Sequence, residues 1–209
     1  MNTQRAVARL IENQQTQKEQ EILDVASRYF LGHGYKGTSI NEMARDSGIS
    51  KESIYRYFRG KKALFEAVIA KELAAYQGKL KFLDFELEST GLEEALVMTA
   101  ESILGVVNAD RTLALRRLIF HEAGRSPDIG EYYYSIGPRE AYEHLERVFV
   151  HHVPDARVDP TTLAQYFVAM VLHNRMLQRE CGVLKSMTPK QIKKHCETVS
   201  RDFIEAFLR

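Results

Sequence analysis

INEMARDSGISKESIYRY, residues 40–57, is the stretch that decides how this chain reads. It holds two short helical pieces around one glycine. Ser39-Ile40-Asn41-Glu42 has the S-x-x-E form of a capping box, with Thr38 as the alternative cap, so a helix starts here. It ends near Ser47-Gly48, since glycine adopts a left-handed turn conformation cheaply. Ser50 is a favourable cap for the next helix, residues 51–58. Arg59-Gly60 punctuates, and a longer helix opens at Lys61 with Leu64, Phe65, Val68, Ile69 and Leu73. Two short helices crossing steeply need a small residue where they touch, a turn glycine, and a branched apolar residue to lock the second onto the first. Ala44, Gly48 and Ile54 meet those needs, and Ile40, Met43 and Ile49 supply the remaining apolar contacts. The pattern predicts a helix-turn-helix.

Outward from that stretch, nearly everything reads helical. Ile22, Val25, Ala26, Tyr29 and Phe30 form an i, i+3, i+4, i+7, i+8 stripe that should stop near Gly32 or Gly34. Residues 1–17 are polar and Gln-rich, either a frayed arm or the loose start of a helix. Downstream, amphipathic segments cover residues 92–107, 112–123, 126–152, 159–180 and 188–209, with a break expected at Gly137-Pro138. The fold class is all-α. An arm (1–17) precedes a three-helix helix-turn-helix domain (18–64) and a larger helical domain (65–209).

Composition fits this reading. The chain has 209 residues and is 44% apolar, enough for a real core. No run reaches the ~18 apolar residues of a membrane span, and the N-terminus has no apolar signal core. Two cysteines, Cys181 and Cys196, make no disulfide framework. A cytoplasmic protein with no membrane partner is expected. Net charge is only +1, but residues 28–62 carry eight basic and three acidic side chains, a local +5 against −4 elsewhere. A basic module on an acidic body suits DNA, although a solvated surface explains the clustering equally well on charge alone.

GTSINEMARDSGISKESIYRYFRGKKALFEAVI is similar to the N-terminal signature of the TetR family of bacterial transcription regulators. Thr38-Ser39, Met43-Ala44, residues 47–50, Ile54-Tyr55, Tyr57-Phe58, Lys61 and Leu64 fall where that pattern has them, over residues 20–66. Two positions depart from it: Glu52 stands where glycine is frequent, and Lys62 where glutamate is. A second stretch, from Leu115 through His121-Glu122-Ala123 and Tyr132-Tyr133 to Gly137-Pro138-Arg139, resembles the AefR-type C-terminal domain. Together the resemblances imply a homodimeric repressor that leaves a palindromic DNA operator when a small hydrophobic effector binds its C-terminal half.

The N-terminal residues of a recognition helix face base edges in the major groove. Lys51, Glu52, Ser53 and Tyr55 are therefore candidates for base contact, with Ser50 at the cap. Glu52 either accepts from a cytosine amino group or simply favours the helix N-terminus. Tyr55 meets a thymine methyl or a phosphate, because Ile54 and Phe58 already fill the inward face. Thr38, Ser39, Arg56 and Lys61 are phosphate clamps, with capping as the plain alternative for Thr38 and Ser39. Tyr57 either bonds a phosphate or packs on the first helix. Arg5 and Arg9 are a possible minor-groove arm.

For the effector pocket the candidates are Arg116, Phe120, Glu122, Tyr133, Tyr142, Phe149, Phe167, Met170 and Met176, with ordinary core packing as the competing reading of each. Leu163, Phe167 and Val171 on one helix, and Cys196, Val199, Phe203 and Phe207 on the last, form apolar stripes suited to a dimer interface. No catalytic set is present: His121-Glu122 begins H-E-x-x-H, but Arg125 stands where the second histidine belongs. No metal or cofactor is expected. An activator or constitutive DNA binder, an all-α enzyme and a protein-binding adaptor are the rival readings.

Overall fold

Gly34 interrupts the first helix where the sequence places a stop. In the computed structural model, which describes the backbone of residues 2–208 and the side chains of residues 16–208, α1 (Asn2–Gly37) has Gly34 at φ 73° and ψ 171°. Positive φ carries little penalty for glycine alone. Arg5 and Arg9 lie outside the described side chains. Ile22, Val25, Ala26 and Phe30 are buried, as their stripe requires. α2 (Ile40–Ser47) is capped by Ser39, whose hydroxyl accepts from the Glu42 amide at 3.5 Å. Gly48 then turns the chain at φ 70°. Ser50 caps α3 (Lys51–Tyr57), accepting from the Ser53 amide at 3.1 Å.

These pieces and the start of α4 (Lys61–Phe85) form a first compact unit that ends at Lys71. Its core joins Ile22, Phe30, Met43, Ile54, Leu64 and Phe65, none with any exposed surface. Phe30, Tyr35 and Phe65 cluster at ring-centre separations of 4.8 to 6.0 Å, a range in which aromatic pairs attract beyond simple burial. Tyr29 donates to Asp46 at 2.8 Å, tying α1 to α2.

The second unit runs from Glu72, inside α4. It adds α5 (Leu92–Asn108), α6 (Asp110–Ala123), α7 (Pro127–Ile136), α8 (Pro138–His152), α9 (Pro160–Leu172), α10 (Arg175–Glu180) and α11 (Pro189–Phe207). No strand occurs among the described residues. α8 packs on α9, and α11 lies against α5 and α9. The break at Gly137-Pro138 is present, with Gly137 at φ −123° and ψ −86°. One expectation is corrected: residues 159–180 are two helices rather than one. His173 leaves the helix at φ 44° and ψ −145°, the one non-glycine residue with positive φ among those described.

The expected dimer stripes also need correction. Leu163, Phe167, Val171, Cys196 and Phe203 have no exposed surface within the single chain, and Val199 only 8%. A side chain already buried has no area left to remove from water on association. The stripes build the unit's own core instead, where Phe203 meets Phe149, Phe167 and Phe207 at 5.1 to 5.6 Å. Of the seven, only Phe207 keeps appreciable surface, and it lies 5.3 Å from the half-exposed ring of Tyr166. No helix among the described residues is long and apolar enough to cross a membrane.

Candidate functional site

α3 divides its side chains between two faces. Ile54 and Phe58 turn inward, while Lys51, Glu52, Tyr55 and Arg56 are exposed and Ser53 is half-buried. The Lys51 ammonium stands 5.7 Å from the Tyr55 ring centre, and the Arg56 guanidinium 5.4 Å from that of Tyr57. These cation–π contacts hold two positive charges on the outer surface. Ser50 both caps α3 and donates to the Ser53 hydroxyl at 3.1 Å. Tyr57 is half-buried, with its ring 6.5 Å from Phe58.

Beside this face lies a shallow polar depression lined by Lys36, Thr38, Ser39, Ile40, Asn41, Tyr55 and Lys61. It gathers two of the four expected phosphate clamps, Ser39 and Lys61, beside the base-contact candidate Tyr55 at the start of α2, where a helix N-terminus favours an anion. Arg56 is exposed on α3 and does not line it. The remaining clamp, Thr38, is corrected. It is 2% exposed, and its hydroxyl donates to the Gly34 carbonyl at 2.7 Å. It therefore closes the end of α1 and has no free hydroxyl for a phosphate. Lys61 is more than a surface charge. Its ammonium donates to the carbonyls of Thr38 (3.1 Å) and Lys36 (3.4 Å) and lies 4.8 Å from the Tyr35 ring centre. A lysine has three donors, so two anchor the loop before α2 and one remains. Lys36 and Asn41 were not among the sequence candidates. Their position on either side of the α2 cap was the available signal. Close by, hydrogen bonds from Arg45 and Tyr29 hold the Asp46 carboxyl below the usual carboxylate range.

The second unit contains a mostly apolar, partly open cavity of about 430 Å³, within the range of small-molecule sites. Leu73 and Tyr76 of α4 form one wall, and Ile103, Val106 and Val107 of α5 another. Arg116, Ile119 and Phe120 of α6, Tyr133 and Tyr134 of α7, and Ala141 and Tyr142 of α8 surround the rest, with Met176 of α10 at the edge. Five sequence candidates thus meet here: Arg116, Phe120, Tyr133, Tyr142 and Met176. Four do not line it. Phe149 and Phe167 belong to the fully buried aromatic core, Glu122 is buried elsewhere on α6, and Met170 packs against the core from outside. Burial pushes the phenols of Tyr76, Tyr133 and Tyr142 upward, so all three stay neutral near pH 7.

An exposed basic helix held across a glycine turn, with an apolar chamber in a separate unit, defines the class: a helix-turn-helix DNA-binding regulator. Residues 22–68 match the model for bacterial regulatory proteins of the tetR family, and residues 94–209 match that for the AefR-like transcriptional repressor C-terminal domain. The chain belongs to the TetR family. It is 27% identical to the transcriptional regulator AcrR of Shigella flexneri, over 79% of this chain and 78% of that one. Against the repressor ComR of Escherichia coli K12 it is 24% identical, over 79% and 81%. Among solved structures, the flavonoid-responsive regulator FrrA has a TM-score of 0.74 at 27% identity, covering 91% of this chain and 97% of its own. A TetR-family regulator from Mesorhizobium loti has the same fold at a TM-score of 0.77 and 24% identity, covering 92% and 98%.

Proposed function

We propose that this TetR-family regulator is a ligand-responsive repressor: a cytoplasmic homodimer that a small hydrophobic molecule releases from a palindromic operator. Residues 18–64 serve as the DNA-binding domain and residues 65–209 as the effector and dimerisation domain, with 1–17 as an arm. Lys51, Glu52, Ser53 and Tyr55 read bases from α3. Ser39, Arg56 and Lys61 contact phosphates, and Ser50 and Tyr57 frame the reading helix. The protein acts by binding rather than catalysis.

The observation that carries this reading is the apolar chamber with Leu73 and Tyr76 in its wall. Both belong to α4, the helix that opens at Lys61 and its loop anchor. A ligand that prefers one placement of α4 biases DNA binding by its differential affinity for the two states, typically ~1–3 kcal/mol. FrrA, by its name a flavonoid-responsive regulator, supports an aromatic, mostly apolar effector. For the dimer, α9 offers the exposed ring of Tyr166 and α11 the partly buried ring of Phe207 beside it. A dimer places two recognition helices on two half-sites, which multiplies specificity.

The test is fluorescence anisotropy on a labelled duplex recovered from a random pool, titrated with a panel of small aromatic compounds. At least one compound should lower DNA affinity by about five- to 150-fold. Binding of such compounds in the chamber with unchanged operator affinity would refute effector-controlled release.

A further inference from the structure

The chamber has one charged side chain in its lining, Arg116. Arg116 is 1% exposed, an unusual place for a guanidinium. Its charge is met, because Nε donates to the Glu180 carboxylate at 2.5 Å. Its donors are not all met. Nη1 reaches the Val107 carbonyl only at 3.5 Å, the far limit of a hydrogen bond. Nη2 is buried with no acceptor in hydrogen-bonding geometry, and the side chain of the chamber wall that acts on this guanidinium is the neutral Tyr133 phenol. Buried donors are nearly always paired, and one left unpaired beside an apolar chamber is costly unless something else accepts from it.

Glu180 determines what that acceptor is. Its carboxylate already serves both Arg116 and Arg117, the latter at 3.3 Å. Arg117 is half-exposed, and its Nη2 donates to the carbonyls of Arg179 (3.0 Å) and Glu180 (2.6 Å). Solvent screens the charge of Arg117 there, so Glu180, 2.5 Å from Arg116, is the anion that answers the buried guanidinium. A ligand carboxylate at Nη2 would bring a second anion into an apolar site where desolvating a charge is expensive. An uncharged oxygen satisfies the donor without that penalty. The remaining surface is rich in rings, with Tyr76, Phe120, Tyr133, Tyr134 and Tyr142 on several sides, and rings favour stacked or edge-on aromatic partners.

Resting on the reading of this chamber as the effector site, we propose that its ligand is an uncharged aromatic molecule carrying a carbonyl-type oxygen, and that this oxygen accepts from Arg116 Nη2. The Arg116–Glu180 pair presets the donor and rejects acids.

Three probes on one two-ring frame test this by calorimetry with the full-length protein: 4-acetylbiphenyl, 4-ethylbiphenyl and biphenyl-4-carboxylate. The acetyl compound should bind about tenfold or more tighter than the ethyl compound, the increment of a hydrogen bond to a charged donor. The carboxylate should bind more weakly than the acetyl compound. In Arg116→Lys the charge facing Glu180 persists but the forked second nitrogen is gone, so the acetyl and ethyl affinities should converge while the ethyl affinity holds. Glu180→Gln frees the guanidinium's charge and should raise carboxylate affinity relative to acetyl, an effect that a packing role for Arg116 would not produce. It also carries the test if Arg116→Lys fails to fold. Equal binding of acetyl and ethyl probes to the unaltered protein overturns the Arg116 contact and leaves the effector chamber standing. Tightest binding by the carboxylate overturns the uncharged class. Binding by none of the three overturns the chamber as an effector site, and this inference with it.

Discussion

Substituting Gly48 isolates the backbone requirement of the turn between α2 and α3. Gly48 sits at φ 70° and ψ 6°, in the left-handed region that costs an ordinary L-residue about 1–2 kcal/mol. A Cβ built there meets no atom within 4 Å, so no steric clash adds to that figure. Gly48→Ala should therefore lose about 1–2 kcal/mol of local stability, and Gly48→Asn less, because asparagine visits this region more readily. Native-state hydrogen exchange is the suitable assay, since a chain of two units need not unfold in one step. Amide protection in α2 and α3 should fall about five- to 30-fold for alanine, with α8 and α9 unchanged. Full protection in both variants would mean that the turn does not depend on positive φ. A loss well beyond the stated range in alanine would mean that the added Cβ meets something, and the open turn described here would be wrong.

Other outcomes follow from the same geometry. Tyr55→Ala removes a half-exposed ring and should leave folding intact while weakening a selected duplex by ~1–3 kcal/mol, with little change on random DNA, as anisotropy on both would register. Lys61→Met should weaken both kinds of DNA alike and flatten the salt dependence by about one unit; an unchanged slope would leave Lys61 only its bonds to the Thr38 and Lys36 carbonyls. His144 is 1% exposed between Asp84 (2.5 Å) and Thr99 (2.9 Å), and burial lowers its pKa below 6.5 despite the pull of Asp84. The unfolded chain then binds more protons as pH drops through 6.5, so stability is full above that value and declines below it. Denaturant midpoints from about pH 7 to about pH 5 should fall in the unaltered protein and fall less steeply in His144→Gln.

The helix-turn-helix was legible because its demands are local. Ala44, Gly48 and Ile54 answer to a turn a few residues long, and Ser39 and Ser50 to the helix ends beside them. Gly137-Pro138 announced its break for the same reason. Thr38 was misjudged because a hydroxyl beside a helix cap reads alike whether it faces a phosphate or the preceding carbonyl; only the path of the chain through Gly34 turns it inward. The break at His173 carried no signal, since neither glycine nor proline marks it. The dimer stripes show the limit of periodicity. A stripe such as Leu163, Phe167 and Val171 states that a face is buried, not whether its own chain or a partner buries it. The chamber posed the same problem. Leu73, Tyr76 and Ile103 look like core residues in sequence, and only the packing of α4 to α8 leaves a space between them.

Selection of duplexes from a random pool at ~150 mM salt, where weak non-specific contacts are largely screened, tests the central claim most directly when joined to a stoichiometry. The account predicts one palindromic motif, with half-sites a helical turn or more apart, bound by two chains per duplex. Recovery of no motif by folded protein, or of a single asymmetric half-site bound by one chain, would contradict it.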